Sequence, residues 1–118
     1  NASSLIEGKK IAMAVAKSSL VKTAMFAEDP NWGRILSAIG NVETKLNDMK
    51  KIRISLGKIL LFKNNEIYTK YDEKKGKKYL KNKNIDINID YNNGKHNATV
   101  WTTDLSYDYI KINAEYRT

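Results

Sequence analysis

The chain has 118 residues and a formal net charge of +8, with 42% hydrophobic and 29% charged residues. This balance is typical of one folded domain with a modest core, and it argues against intrinsic disorder. The absence of cysteine excludes disulfides and thiolate metal sites, so a reducing cytoplasm is the expected location. Lys17 and Lys22 interrupt the longest apolar run well short of the roughly 20 residues that cross a bilayer, so we expect no membrane partner.

The positive charge allows an alternative function, a basic binding module for nucleic acid or another anionic partner. Basic residues cluster at 50–53 and 72–83. Lysine, however, outnumbers arginine 18 to 3, whereas bidentate base contacts favour arginine. Tyr79 is the only aromatic residue in these clusters, which is too few for a base-stacking platform. We therefore expect a solvated lysine-rich surface and no nucleic-acid partner.

Two helices are predicted at the start of the chain. Apolar residues recur every three to five positions from Ser4 to about Lys17, as on one face of an amphipathic helix. Ser3 or Ser4 can cap this helix, because Glu7 lies in capping-box position after Ser4. A second, short helix is predicted through "LVKTAMF" (20–26), after a break at 18–19.

The segment "AEDPNWGRIL" (27–36) holds the only proline of the chain. Pro30 cannot continue a helix, but it suits the first position of a new one if Asp29 is the cap. We predict a helix from about Pro30 to Ile39 that ends at Gly40-Asn41. Its buried stripe comprises Trp32, Ile35, Leu36 and Ile39.

After Asn47 the apolar pattern changes to the alternation of strands. Strands are predicted in "KIRISL" (51–56), "KILLFK" (58–63), "NIDINIDY" (84–91), "ATVWTTDL" (98–105) and "DYIKINAEY" (108–116), with a turn at Asn64-Asn65 and a polar helix over 71–83. The order indicates an α+β fold: a single domain, residues 1–118, with a mixed or antiparallel sheet and helices packed on one face.

Spacing alone assembles no complete active site. His96 is the only histidine and lies in a predicted turn, where no carboxylate spacing supports a metal site. Asp86 and Asp90 share a strand face but lie too far apart for an acid/base pair. The glycines form no phosphate-binding loop. We therefore expect no catalytic residue, no metal and no cofactor in this chain.

The last predicted strand carries the remaining candidate site. Ile110, Ile112 and Ala114 would face the core, which turns Asn113 to the other side. The Asn113 carboxamide, the Thr118 hydroxyl and the terminal carboxylate suit recognition of a zwitterionic amino acid. The alternative is a plain edge strand with a frayed end.

Two long stretches, "VAKSSLVKTAMFAEDPNWGRILSAIG" (15–40) and "NATVWTTDLSYDYIKINAEYRT" (97–118), closely resemble the ornithine acetyltransferase family, the ArgJ-type glutamate N-acetyltransferases. The family signatures are similar to L-V-K-T-A-x-F-G-x-D-P-N-W-G-R and S-A-T-x-W-x-x-D-L-T-x-x-Y-V-x-I-N-A-x-Y. Ala27 stands where the first signature has glycine, and Asn97 stands where the second has serine. The lysine-rich residues 44–83 carry little of the resemblance.

The resemblance implies an enzyme of arginine biosynthesis that cleaves itself into two chains. The new N-terminal threonine of the second chain takes acetyl from N-acetylornithine and passes it to glutamate, which gives ornithine and N-acetylglutamate. Bifunctional members also use acetyl-CoA, and the sequence fits both groups. This chain would be the C-terminal part of the second, beta chain, with the nucleophile upstream, and would be inactive alone.

The resemblance also assigns residues and partners. Asn113 and Thr118 match substrate-binding positions of the family. Asn31 and Arg34 belong to the first signature and could support the wall of the active site, but a structural role is favoured over a catalytic one. The partners would be the N-terminal alpha chain and the rest of the beta chain, in a heterotetramer of two alpha and two beta chains. The ligands would be small amino-acid substrates.

Overall fold

The structure, a computed structural model, describes residues 2, 4–42, 51–63, 66–67, 72–91 and 94–116. Within this part of the chain three helices come first, followed by three strands, a fourth helix, a fourth strand and a fifth helix. The four strands form one antiparallel sheet. The predicted α+β class is confirmed, and of the two predicted sheet types the antiparallel one is present. No helix of these ranges is both long and apolar enough to cross a membrane.

Two serines define the first two helices. α1 (Leu5–Lys17) starts after Ser4, whose hydroxyl accepts a hydrogen bond from the Glu7 N–H at 3.1 Å. Ser18 ends α1 and also caps α2 (Ser19–Phe26), because its hydroxyl accepts from the Val21 N–H at 3.2 Å. Both helices and the break between them are therefore confirmed.

Helix α2 ends in a left-handed turn at Glu28, which has a φ of 56°. The Glu28 N–H donates to the Met25 carbonyl at 3.1 Å, and the Asp29 N–H donates to the Ala24 carbonyl at 2.9 Å. This pair of bonds forms a Schellman motif, in which the left-handed residue is usually glycine. The backbone of Asp29 is thereby used to close α2.

Helix α3 (Trp32–Gly40) starts later than the sequence predicts, so the prediction of Asp29 as its cap is wrong. The cap is Asn31, whose Oδ1 accepts from the Arg34 N–H at 3.0 Å. Pro30 therefore precedes the cap. The reason is that Asp29 completes the end of α2, while its carboxylate accepts from Asn31 Nδ2 at 3.1 Å and so holds the cap in place. The end of α3 at Gly40 is as predicted.

The sheet has the strand order β3-β2-β1-β4, and all pairs are antiparallel. Its strands are β1 (Arg53–Leu56), β2 (Ile59–Lys63), β3 (Glu66–Ile67) and β4 (Ile87–Asp90). The predicted polar helix is present as α4 (Glu73–Tyr79), capped by Asp72. The predicted turn at Asn64-Asn65 lies outside the described residues.

A two-residue turn at Gly57 and Lys58 joins β1 to β2. Gly57 has a φ of 56°, and a Cβ atom there would meet the Tyr79 ring at 2.6 Å. The Tyr79 hydroxyl in turn accepts from the Asp86 N–H at 2.9 Å. Tyr79, the one aromatic residue of the basic cluster 72–83, therefore packs within the fold, next to the hairpin and just before β4.

The core lies between the first three helices and one face of the sheet. Trp32 of α3 stacks on Phe62 of β2 with ring centroids 5.3 Å apart, and Ile35 and Ile39 are fully buried. The predicted stripe on α3 is thus confirmed, since Leu36 also packs against this cluster. Each fully buried large side chain contributes roughly 1.5–3 kcal/mol to the free energy of folding.

Residues 98–105, called the ribbon below, are predicted as a strand but form none. Their burial still alternates: Ala98 and Val100 are half-buried, whereas Thr99 and Trp101 are exposed. A strand requires a neighbouring backbone to accept and donate its hydrogen bonds, and no strand of the described residues lies beside the ribbon.

The ribbon is instead fastened to the helices. The Thr102 hydroxyl donates to the Ala16 carbonyl at 3.1 Å, and the Leu105 N–H donates to the Lys22 carbonyl at 3.3 Å. Just before the ribbon, His96 forms an isolated antiparallel bridge with Ala2. The ribbon therefore runs alongside α1 in the same direction, from its N-terminus towards α2.

The final predicted strand is also wrong, because residues 107–115 form helix α5 (Tyr107–Glu115). The expected core positions of Ile110, Ile112 and Ala114 are wrong as well: the two isoleucines are 50% and 65% exposed, and no residue of α5 is buried. A helix satisfies its own backbone, so this segment can be ordered without a neighbouring strand.

Candidate functional site

The segment with the candidate site residue Asn113 is a capped surface helix. The Ser106 hydroxyl accepts from the Tyr109 N–H at 3.0 Å and so starts α5. Asp108 in the first turn of α5 also stabilises the helix, because its negative charge complements the helix dipole. Serine before "YDYIKINAE" is the signal that sequence analysis missed, because the alternating isoleucines suggested a strand.

Asn113 lies in the last half of α5 with an exposed side chain. Its Nδ2 donates to the Tyr109 carbonyl, one helical turn earlier, at 2.8 Å. Every residue of α5 is exposed, so the exposure of Asn113 does not distinguish it from the isoleucines that were expected to face the core. Thr118, the other predicted substrate-binding residue, lies outside the described residues, so the structure does not test whether the two come together.

The start of α5 is docked on the end of α2. The Phe26 and Tyr107 rings meet edge to face, with centroids 5.7 Å apart and planes at 89°. This contact and the Leu105–Lys22 hydrogen bond hold the N-terminal end of the helix, while Ile112 and Tyr116 at the other end are 65% and 74% exposed. Asn113 therefore projects from the described fold on a helix held at one end.

Arg34 and Asn31, from the proline-containing segment, both have structural partners. The Nη1 atom of Arg34 donates to the Leu20 carbonyl at 2.9 Å and reaches the Thr23 hydroxyl at 3.4 Å. Arg34 thus ties α3 to α2, and Asn31 caps α3. These contacts match the structural role expected for both residues.

A cleft of about 750 Å³ lies elsewhere in the molecule, between α1, β4 and the ribbon. Small and apolar residues of α1 line one wall, and Asp86 and Asp90 lie on the strand side. Neither Asn113 nor any other residue of α5 lines it. Sequence analysis did not identify this cleft, although the alternating patterns of residues 84–91 and 98–105 mark its two long edges.

Tyr91, which follows β4 and lines this cleft, and Glu7 of α1 are both nearly buried. Tyr91 is 3% exposed and Glu7 is 8% exposed. Burial, and then the negative charge of Glu7, raise the pKa of the Tyr91 phenol above its ordinary value. The pair is thus suited to holding a neutral phenol next to a carboxylate.

The described residues contain no group of three or more histidine, cysteine, aspartate or glutamate side chains placed to hold a metal ion. The lysines of α4 are exposed. Tyr79, at the end of α4, packs against the Gly57 turn.

Comparisons with known proteins agree with one another. A family model described as the ArgJ family matches residues 1–118. The "Arginine biosynthesis bifunctional protein ArgJ" of Bacillus anthracis is 48% identical over 112 residues, and that of Pseudomonas syringae pv. tomato is 45% identical over 108. These alignments cover 95% and 92% of this chain but 27% of each relative, so the chain spans about a quarter of their length.

A crystal structure of the protein with the same name from Bacillus halodurans superposes with a TM-score of 0.90 at 36% sequence identity. The match covers 98% of this chain and 54% of that one. The overall fold of the chain is thus similar to that of the matched part of a longer polypeptide.

Proposed function

Because the chain belongs to the ArgJ family, we propose that it is part of an acetyltransferase of arginine biosynthesis. The observation that carries the proposal is the match of the family model over all 118 residues. The similarity to the Bacillus halodurans structure over nearly the whole chain supports it. As a biosynthetic enzyme, the protein would act in the cytoplasm.

The proposed reaction moves acetyl from N-acetylornithine to glutamate in two steps. A threonine hydroxyl outside this chain attacks the acetyl carbonyl, the amide bond breaks, and ornithine leaves with the proton on its amine. The glutamate amine then attacks the acetyl-threonine ester, which forms N-acetylglutamate and restores the hydroxyl. The chemistry needs no metal or cofactor from this chain, because the nucleophile is a side chain.

This chain would contribute Asn113 and Thr118 to the amino-acid pocket. A carboxamide can donate to a substrate carboxylate and accept from its ammonium group. The exposure of Asn113 on α5 supports the assignment, because a ligand can reach it. The hydrogen bond of its Nδ2 to the Tyr109 carbonyl supports it further, since that bond fixes the direction of the side chain.

The remaining parts of the enzyme would be the partners: the alpha chain and the rest of the beta chain, in a heterotetramer of two alpha and two beta chains. The large exposed side chains of the ribbon and α5 support this assembly. Trp101 is 86% exposed and Tyr107 is 82% exposed, which is unusual for aromatic residues of a protein without a partner.

The test is kinetic and uses the complete two-chain enzyme. Asn113→Ala removes a polar contact to a charged substrate, worth ~1.5–3 kcal/mol, so kcat/KM should fall about ten- to a hundredfold. Lys111→Ala is the matched control, because it truncates an exposed side chain of the same helix on another face. The 118-residue chain alone should show no transfer.

Two outcomes would contradict the proposal. Acetyl transfer by the 118-residue chain alone would contradict the assigned position of the nucleophile. Unchanged kinetics of Asn113→Ala together with a clearly lower melting temperature would show that Asn113 stabilises the fold and does not bind substrate.

A further inference from the structure

We propose that Phe26 of α2 and Tyr107 of α5 are positioning residues, whose ring contact sets the direction of α5 and thereby the place of Asn113. Neither ring needs to touch substrate, because the contact acts through the helix that carries the Asn113 carboxamide. The role of Asn113 in substrate binding rests on the proposed function. The direction of α5 does not, since it is measured without acetyl transfer.

Phe26 presents its ring from a firmly packed part of the fold. It is the last residue of α2, and its neighbours Ala24 and Met25 are 1% and 9% exposed, so this end of the helix is anchored in the core. Directly after it, the N–H groups of Glu28 and Asp29 donate to carbonyls of α2 and close the end of the helix. The ring therefore has a defined position, although it is 41% exposed.

Tyr107 is the first residue of α5, so a contact of its ring acts on the start of the helix. Its ring centroid lies 5.7 Å from that of Phe26 and the two planes are at 89°, which is the edge-to-face geometry that aromatic pairs prefer. The Ser106 hydroxyl accepts from the Tyr109 N–H, so Tyr107 belongs to a capped first turn. The contact is therefore transmitted to the helix as a whole.

A backbone hydrogen bond provides a second attachment of the same segment to α2. The Leu105 N–H donates to the Lys22 carbonyl at 3.3 Å, just before α5 begins. Lys22 lies one helical turn before Phe26, so the two attachments are neighbours along α2. One hydrogen bond alone would let α5 pivot about Leu105, whereas the ring contact at Tyr107 restricts that pivot.

The far half of α5 has no comparable support within the described part of the chain. Ile112 and Tyr116 are 65% and 74% exposed, and no residue of the helix is buried. The direction of α5 is therefore determined at its start, where the rings meet.

Asn113 is placed where a change in this direction has a large effect. It comes six residues after Tyr107, which is roughly 9 Å along the helix axis, so a tilt of about 10° at the start of α5 moves it by roughly 1.5 Å. The hydrogen bond of its Nδ2 to the Tyr109 carbonyl ties the side chain to the helix, and the carboxamide moves with it. A misplacement of about 1 Å can cost an enzyme on the order of a hundredfold in rate.

Crystal structures of the complete enzyme as wild type, Tyr107→Ala and Tyr107→Phe test the direction of the helix. After superposition on α1 to α3, the Asn113 Cα should be displaced by about 1 Å or more in Tyr107→Ala, because the second attachment is lost. Tyr107→Phe keeps the ring and should leave the Asn113 Cα in its wild-type position. An Asn113 Cα that does not move in Tyr107→Ala would overturn the proposal.

A pair of alanine substitutions in α2 provides the matched control. Phe26→Ala removes the same contact from the other side and should displace Asn113 as Tyr107→Ala does. Leu20→Ala truncates another exposed apolar side chain of α2, 61% exposed and on a different face, and should leave Asn113 in place. Equal displacement in the two variants would overturn the assignment to the rings.

Kinetics of the complete enzyme test whether the rings act through Asn113. Tyr107→Ala should lower kcat/KM for glutamate roughly tenfold, whereas Tyr107→Phe should retain the wild-type value. The melting temperature should change little, because Tyr107 is 82% exposed. In the Asn113→Ala background, Tyr107→Ala should cost less than about twofold, because the group that it positions is already gone.

The outcomes separate this inference from the proposed function. A full tenfold loss from Tyr107→Ala in the Asn113→Ala background would overturn the positioning role. Unchanged kinetics of Asn113→Ala, with Asn113 still displaced in crystals of Tyr107→Ala, would contradict the proposed function and support the ring contact as the determinant of the direction of α5.

Discussion

Glu28 has a backbone conformation that is unfavourable for any residue with a side chain. Its φ of 56° lies in the left-handed region, which costs a residue with a Cβ about 1–2 kcal/mol. Glu28→Gly removes this strain, but glycine also raises the conformational entropy of the unfolded chain. This entropy offsets about 0.5–1 kcal/mol of the gain in stability. We expect the free energy of unfolding to rise by up to about 1.5 kcal/mol, measured by urea denaturation of the 118-residue chain.

Ala27→Gly is the matched control for Glu28→Gly. Ala27 has a φ of −76°, so glycine relieves no strain there and should lower the stability of the chain. Stabilisation by Ala27→Gly and not by Glu28→Gly would contradict this assignment of the strained residue. The family signature has glycine at position 27, whereas the left-handed residue of this chain is the next one.

At the scale of the element, the two candidates for the cap of α3, Asp29 and Asn31, can be distinguished by mutation. Asn31→Ala removes the acceptor of the Arg34 N–H and should lower the free energy of unfolding by about 1 kcal/mol. Asp29→Ala keeps that acceptor and loses only the contact to Asn31 Nδ2, so it should cost less. Urea denaturation of the two variants decides between them, and the reverse order of stability would restore Asp29 as the cap.

The elements that sequence analysis predicts correctly are those that fold against partners within the chain. α1 and α2 have caps and apolar faces that match a nearby core, and β1, β2 and β4 pair with one another. The ribbon and α5 differ, because their alternating patterns match a sheet that the described residues do not supply. Local capping by Ser106 then determines the structure of α5.

The candidate site also has features that the sequence predicts and features that it does not. The sequence predicts the exposure of Asn113 from a strand alternation that is absent, whereas in the structure every residue of α5 is exposed. The bond of Asn113 to the Tyr109 carbonyl could not be predicted, since that contact exists only at helical spacing. The cleft could not be predicted either, because it depends on how far β4 lies from the ribbon.

At the scale of the whole molecule, Tyr91 couples the stability of the fold to pH. Burial and Glu7 raise the pKa of Tyr91 in the folded state, whereas in the unfolded state it ionises near its usual value of about 10. The folded state thus disfavours the phenolate. The stabilising contribution is fully present below about pH 10 and is lost as the pH rises towards the folded-state pKa.

Tyr91→Phe should therefore reduce the loss of stability between about pH 8 and about pH 10.5, measured as the melting temperature of the 118-residue chain. Tyr107→Phe controls for removal of a hydroxyl at a side chain that is 82% exposed. An identical loss in wild type and Tyr91→Phe would show that Tyr91 is not responsible for the alkaline destabilisation.

The two tryptophans occupy opposite environments, and this divides the intrinsic fluorescence of the chain into two signals. Trp32 is stacked on Phe62 in the core, so its emission follows the melting of the domain itself. Trp101 is 86% exposed beside the cleft, so its emission follows whatever covers that surface. With one tryptophan replaced by phenylalanine at a time, folding and assembly can be timed separately in the same stopped-flow instrument without an attached dye.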